Sequence, residues 1–185
     1  MESLVSYLVA AMLAWVPPHA HVPIESQEHV LARYESIARD ALSVALDESE
    51  APVFDGPDSR AETALLMLAV DSYESSFSKR VDEGVRRGDN GRSYCLMQIH
   101  VGQGATREGW SARQLIDDRK LCFRAALHIL QASFASCRKL PFDDRLSAYA
   151  SGHCIPGAAI SRSRVWRARA WWQAHAPPKE LASAS

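Results

Sequence analysis

The sequence predicts a mainly α-helical protein with at most a small β-hairpin. Two observations carry this. The stretch from Ala61 is apolar on almost every side (Ala64, Leu65, Leu66, Met67, Leu68, Ala69, Val70), which reads as a central, buried helix. Only the segment near Arg87 to Ile99 invites strands. With 185 residues, 47% of them hydrophobic, one sizeable core is affordable and one domain is the default. No internal repeat is visible.

Leu4 to Val16 is an apolar run of thirteen residues with one serine, read as an ordered N-terminal helix. It is too short for a confident membrane span. A degenerate signal or anchor over residues 1–20 is the alternative, and the flanks oppose export: Glu2 is acidic, no lysine or arginine precedes Arg33, and Pro17-Pro18-His19-Ala20 is a poor cleavage site. The double proline ends the helix. A second helix is expected over Glu25 to Asp47, with Val30, Ile37, Ala41, Val44 and Ala45 inward and Glu28, Glu35 and Arg39 in water. An acidic linker, Asp47 to Arg60, leads to the central helix, which Asp58 or Ser59 would cap. Residues 1–60 thus read as N-terminal helices packing on a domain of residues 61–176, with 177–185 a flexible tail.

Asp82 to Gly91 is polar and glycine-punctuated, hence a loop or hairpin. Beyond it, Trp110 is read chiefly as a packing residue, with a place lining a cleft as the alternative, and Ser111 would cap a short helix. A long helix is expected near Asp117 to Lys139, carrying His128 as a satisfied core histidine. Asp143 or Asp144 would start a helix bearing Leu146 and Tyr149, stopped by Gly152 and Pro156. The last helix, Ser161 to His175, interleaves arginines with tryptophans, read as solvated and buried respectively.

The net charge of −1 conceals an asymmetry, with ten acidic and two basic residues before Ser59 and a basic C-terminal end that could meet an anionic polymer. Nothing points to nucleic acid. Four cysteines, Cys95, Cys122, Cys137 and Cys154, lack a Cys-x-x-Cys pair, which favours disulfides in an oxidising compartment over a metal site. Cys122 and Cys137 would lie roughly 22 Å apart on one helix and cannot bond to each other. Of the two remaining schemes, Cys95 with Cys122 and Cys137 with Cys154 is preferred because each joins nearer neighbours in sequence.

Met67, Val70, Glu74 and Phe77 recur along one helical face, so Glu74 is expected to point toward an apolar interior or cleft. Such a setting disfavours the ionised carboxylate, which suits a general acid near neutral pH.

Glu74-Ser75-Ser76-Phe77, Ser93-Tyr94-Cys95-Leu96-Met97-Gln98-Ile99 and Ala148-Tyr149-Ala150-Ser151-Gly152 resemble, in order, the three signature blocks of the soluble lytic transglycosylases, members of the goose-type-lysozyme-like superfamily with the SLT domain. The resemblance covers about half the chain. Cys95 stands where the family has glycine, Ala150 where it has asparagine, and the loop after Glu74 is longer than usual. The resemblance implies a lysozyme-like helical domain with any hairpin near the active site, cleaving the MurNAc-GlcNAc β-1,4 bond of peptidoglycan strands. Glu74 would act first as acid and then as base, leaving a 1,6-anhydro-muramoyl end. Gln98 and Ser93 would contact the sugar, Met97 would underlie the cleft, and Tyr149 would orient Glu74 or the acetamido group. A hydrolytic muramidase is the alternative. It needs a second carboxylate about 5 Å from the first, or about 6.5 to 9.5 Å away, and Asp82 and Asp89 are the candidates. A non-catalytic wall-binding protein is a further alternative. The expected protein is a monomer, periplasmic, extracellular or carried by a virion, touching a membrane only if its N-terminal segment is an anchor. No metal or organic cofactor is implied.

Overall fold

The structure, a computed structural model, describes residues 1–21 and 25–178. Most of the expected tail therefore lies outside the described residues. Helix α1 (Glu2–Trp15) buries Leu4, Val5, Leu8, Val9, Ala11 and Met12. Helix α2 (Gln27–Ala45) starts at Ser26, whose Oγ accepts the His29 N–H at 3.3 Å. The Tyr34 hydroxyl, inside the core, donates to the Val16 carbonyl at 2.8 Å and lies 2.7 Å from His21 Nε2, which ties the two helices together.

Helix α3 (Ser59–Glu74) is buried at every position from Thr63 to Ser72. Asp58 holds the position before it but makes no capping bond. The Thr63 hydroxyl instead accepts the Val53 N–H and donates to the Ser59 carbonyl. A short helix α4 (Lys79–Asp82) and a helical turn at Asp89–Gly91 lead to strands β1 (Ser93–Tyr94) and β2 (Ile99–His100). These pair antiparallel, Ser93 opposite His100 and Tyr94 opposite Ile99.

The short helix expected after Ser111 is α5 (Ala112–Asp117), and the long helix expected near Asp117 to Lys139 is α6 (Arg119–Ser136). Asp118 separates the two: its backbone is extended, and its carboxylate accepts the Lys120 and Leu121 N–H groups as a cap. Ser111 caps α5 together with Gln114 in a reciprocal box. Neither Asp143 nor Asp144 starts a helix through its side chain. Both fall in a single helical turn, Phe142–Asp144, and Asp144 is buried against Arg162 and the Gly157 N–H. Helix α7 (Ser147–Ser151) ends at Gly152, whose φ of +72° glycine adopts without strain. Helix α8 (Ala159–Ala174) is the last helix among the described residues.

Helix α3 lies at the centre, with α1, α2, α6 and α8 against it, and one buried cluster runs from Leu4 to Ala168. The expected division of α8 into solvated arginines and buried tryptophans does not hold. Arg164 is buried whereas Trp166 is 66% exposed. Arg162 and Arg169 pair with Asp144 and Asp143, while Arg167 lies over the rings of Tyr73 and Trp15. Acceptors and aromatic faces supplied by distant segments draw the guanidinium groups inward. Among the described residues no helix is long and apolar enough to cross a membrane.

The structure joins Cys95 to Cys122 and Cys137 to Cys154, bonds of the kind found in an oxidising environment. The first ties the loop between β1 and β2 to α6. Cys95 itself has φ +57°, the left-handed conformation that glycine takes freely, so here the disulfide holds a residue the backbone disfavours. Removing this bond with Cys95→Ala and Cys122→Ala is expected to cost about 2–4 kcal/mol. Pairing Cys95→Gly with Cys122→Ala is expected to recover about 1 kcal/mol of that loss. Urea unfolding of the two double variants checks the ordering.

Candidate active site

Where the end of α3, the β1–β2 hairpin, α7 and α8 meet lies a cleft of about 520 Å³. Glu74, Asp89, Gln98, His100, Tyr149 and Arg164 are among its lining residues. Each arrives from a different local device. Glu74 is the last residue of α3, carried to the cleft as the helix runs out. Helix α3 ends because the chain turns at Ser76 and Phe77, both with positive φ, and Phe77 then buries its ring against Tyr34 at 5.1 Å. Ser75 supports the turn, its hydroxyl accepting the Phe77 N–H at 3.0 Å and donating to Asp71.

The hairpin supplies Gln98 and Asp89. Gln98 has φ +48°, and its side-chain amide donates to the Cys95 carbonyl at 2.9 Å, so the loop holds it from both ends. Gly88 lies beneath its carbonyl, and a Cβ there would stand 2.2 Å from Gln98 Oε1. Asp89 and Asn90 both have positive φ, and the Asp89 carboxylate accepts the Ser93 hydroxyl at 2.5 Å. Ser93 is 1% exposed, so it anchors Asp89 from below and does not line the cleft. Met97 is fully buried, and its carbonyl receives the Tyr149 hydroxyl at 2.9 Å. Burial, with the nearby Glu74 carboxylate second, pushes the Tyr149 phenol well above the usual tyrosine range, which keeps it a neutral donor.

Glu74 does not have the apolar surroundings that its helical face suggested. Its side chain is 20% exposed, and Arg164 donates to Oε1 from Nε at 3.2 Å and Nη2 at 2.7 Å. The helix ends at this residue, and α8 lays a guanidinium across it. The desolvated carboxyl is Asp71, one turn earlier, which is 0% exposed. Its Oδ1 accepts the Ser75 hydroxyl, and its Oδ2 is buried with no partner among the described residues. Burial pushes this carboxyl up from 3.8 to about 8, with Asp82 and Glu74 adding to the rise while Ser75 and Arg119 oppose it. Sequence reasoning missed it, although Asp71 follows Met67 by four positions and Leu68 by three, on a helix with no polar face between them.

Asp82, the other candidate second carboxylate, is not in the cleft. Arg119 holds it with bonds of 3.0 and 2.7 Å and holds Asp40 at 2.6 Å, in a separate pocket beside α5 and α6. The partner that claims it lies 37 residues further along the chain. Trp110 also lies outside the Glu74 cleft and stacks on His128 at 6.1 Å. His128 itself sits at the edge of the core, between Glu108 at 2.9 Å and Glu50 at 3.1 Å. A smaller cavity of about 300 Å³ under Phe54, Glu62, Phe142 and Trp172 contains none of the motif residues. Among the described residues no group of three or more His, Cys, Asp or Glu side chains could hold a metal ion.

Two outcomes test this geometry. The unfolded chain has Asp71 ionised above about pH 4, whereas the folded protein keeps its proton until about pH 8. Stability that depends on the neutral acid therefore drains away as pH rises through that window, by at most about 1.4 kcal/mol per pH unit. Asp71→Asn is expected to gain on the wild type from pH 5 to pH 8 in urea unfolding, and a gap independent of pH would contradict the assignment. Gly88→Ala is expected to evict the end of the Gln98 side chain. The NMR signals of its side-chain amide should move, while stability changes by less than about 1 kcal/mol because the clash is with a flexible terminus.

Compared with known protein families, curated proteins and solved structures, the chain gives no match.

Proposed function

We propose that the protein is a peptidoglycan lytic transglycosylase working at the Glu74 cleft. The observation that carries the reading is that Glu74, Gln98 and Tyr149, one from each of three motif blocks far apart in sequence, line one cleft of 520 Å³. A cleft of this size takes a few sugar rings along its length. Glu74 donates a proton to the glycosidic oxygen as the bond from C1 of the muramoyl unit breaks, and the acetamido oxygen of that unit covers C1. The C6 hydroxyl then attacks C1 and returns its proton to Glu74, which closes the 1,6-anhydro ring and regenerates the acid. Gln98 presents its amide to the sugar or its N-acetyl group. Tyr149, anchored on the Met97 carbonyl, fixes the wall beside Glu74. The disulfides agree with a site of action in the periplasm, outside the cell, or on a virion that meets the wall from outside.

A hydrolytic muramidase is the second reading, favoured by the presence of Asp89 in the same cleft, held by Ser93. Asp82, committed to Arg119, drops out of that role.

Mass spectra of wall digests separate the readings. Wild type is expected to release 1,6-anhydro-muropeptides, and Glu74→Gln to release them at least about 10²-fold more slowly. Hydrated reducing ends that vanish in Asp89→Asn would favour the hydrolase. Full wall cleavage by Glu74→Gln would remove Glu74 from the chemistry.

A further inference from the structure

The guanidinium of Arg164 occupies the carboxylate that the proposed chemistry needs. Two of its nitrogens converge on one oxygen of Glu74, and the third, Nη1, is tied to the Ile160 carbonyl at 3.0 Å. Its flat face lies 4.8 Å from the Tyr73 ring centre. These two contacts hold the group at the cleft wall independently of Glu74. The other three arginines of α8 have fixed work elsewhere: Arg162 on Asp144, Arg169 on Asp143, Arg167 on Ser72 and the Tyr73 ring. Arg164 is thus the α8 cation that faces the cleft. The charged lining is completed by Glu74 and Asp89, with His100 exposed beside them.

We infer that Arg164 is a substrate-binding residue that recognises a carboxylate carried by the muramoyl unit, and that binding exchanges the Glu74–Arg164 pair for an Arg164–substrate pair. The inference rests on the transglycosylase function proposed for this cleft. A guanidinium binds a carboxylate with directional, charge-assisted bonds, and a ligand carboxylate offers the same acceptor geometry that Glu74 offers in the free protein. The exchange removes the counter-charge from Glu74 at the moment the cleft is filled and water leaves it. That is the condition under which a carboxyl takes up and keeps a proton. The charge of the cleft is conserved, one ligand carboxylate entering as one proton joins Glu74. A neutral glycan of the same shape leaves the ion pair closed and Glu74 occupied, so discrimination for anionic strands is built into the acid itself. The carboxylate can belong to the lactyl ether or to the peptide attached there; the chemistry is the same.

The test compares wild type, Arg164→Gln and Arg164→Lys on three forms of the same glycan: with free lactyl carboxylates, with those carboxylates converted to amides, and with stem peptides attached. Binding is followed by NMR and turnover by release of anhydro ends. Wild type is expected to bind a carboxylate-bearing form on the order of ten-fold more tightly than the amide, the free lactyl acid if the lactyl group is read and the peptide-bearing form if a peptide carboxylate is. Arg164→Gln is expected to lose that preference, and Arg164→Lys to keep part of it. The peptide-bearing form identifies the source, exceeding the amide if a peptide carboxylate is read and matching it if the lactyl group is. Turnover with an unchanged carboxylate preference in Arg164→Gln overturns this inference and leaves the transglycosylase reading intact. Arg164-dependent binding without turnover by any protein overturns the catalytic reading and supports the inference. Should Arg164→Gln fail to fold, the wild-type and Arg164→Lys comparison decides, equal preference in both counting against the exchange.

Discussion

A central helix has to put its polar groups somewhere, and α3 carries Asp71, Ser72 and Glu74 in its last turns, with Ser75 just beyond its end. The rest of the molecule is arranged around their disposal. Ser75 bonds Asp71 and so shields one buried oxygen. Arg167 reaches Ser72 at 2.6 Å, and Arg164 reaches Glu74. Helix α8, 16 residues long and carrying four arginines, is placed where these groups need donors. Its packing on α3 is therefore electrostatic as well as apolar. The cleft opens where this polar turn emerges from the core, because a carboxylate at a helix end can be half-covered without being stranded.

The hairpin meets the same turn with a backbone under tension. Asp89, Asn90, Cys95 and Gln98 all have positive φ, as do Ser76 and Phe77 at the end of α3. Each such non-glycine residue costs on the order of 1 kcal/mol. Disfavoured conformations concentrated around one cleft indicate a surface whose shape is over-determined by its surroundings. Here those surroundings are the Cys95–Cys122 bond, the bond from Ser93 to Asp89 and the tether from Gln98 to the Cys95 carbonyl. A cysteine in a glycine-like conformation makes sense in these terms, the cross-link replacing conformational freedom with constraint.

The helical architecture was legible because it depends on short-range patterns. Apolar residues on all sides of the Ala64–Val70 run give a central helix, and Ser111 caps the short helix that follows it as expected. Elsewhere a local pattern misled. The face shared by Met67, Val70 and Phe77 is buried, yet Glu74 on that face ends at the cleft beside a cation. Asp71 drew no notice in the sequence and is the desolvated acid. Asp144 looked like a helix start and is held by Arg162 across a turn. In each case the deciding partner is outside the window in which helical periodicity operates.

By itself the sequence determined the features that near neighbours along the chain dictate: a mainly helical protein, a central apolar helix, a small hairpin between polar turns, and two cysteine pairs constrained by reach along a helix. Tertiary structure decided which carboxyl is buried and which are paired with a cation. Arg164 and Glu74 are separated by 90 positions, and Arg119 and Asp82 by 37. The electrostatic state of a carboxyl depends on the dielectric and the charges within a few ångströms of it, and chain order does not encode those distances.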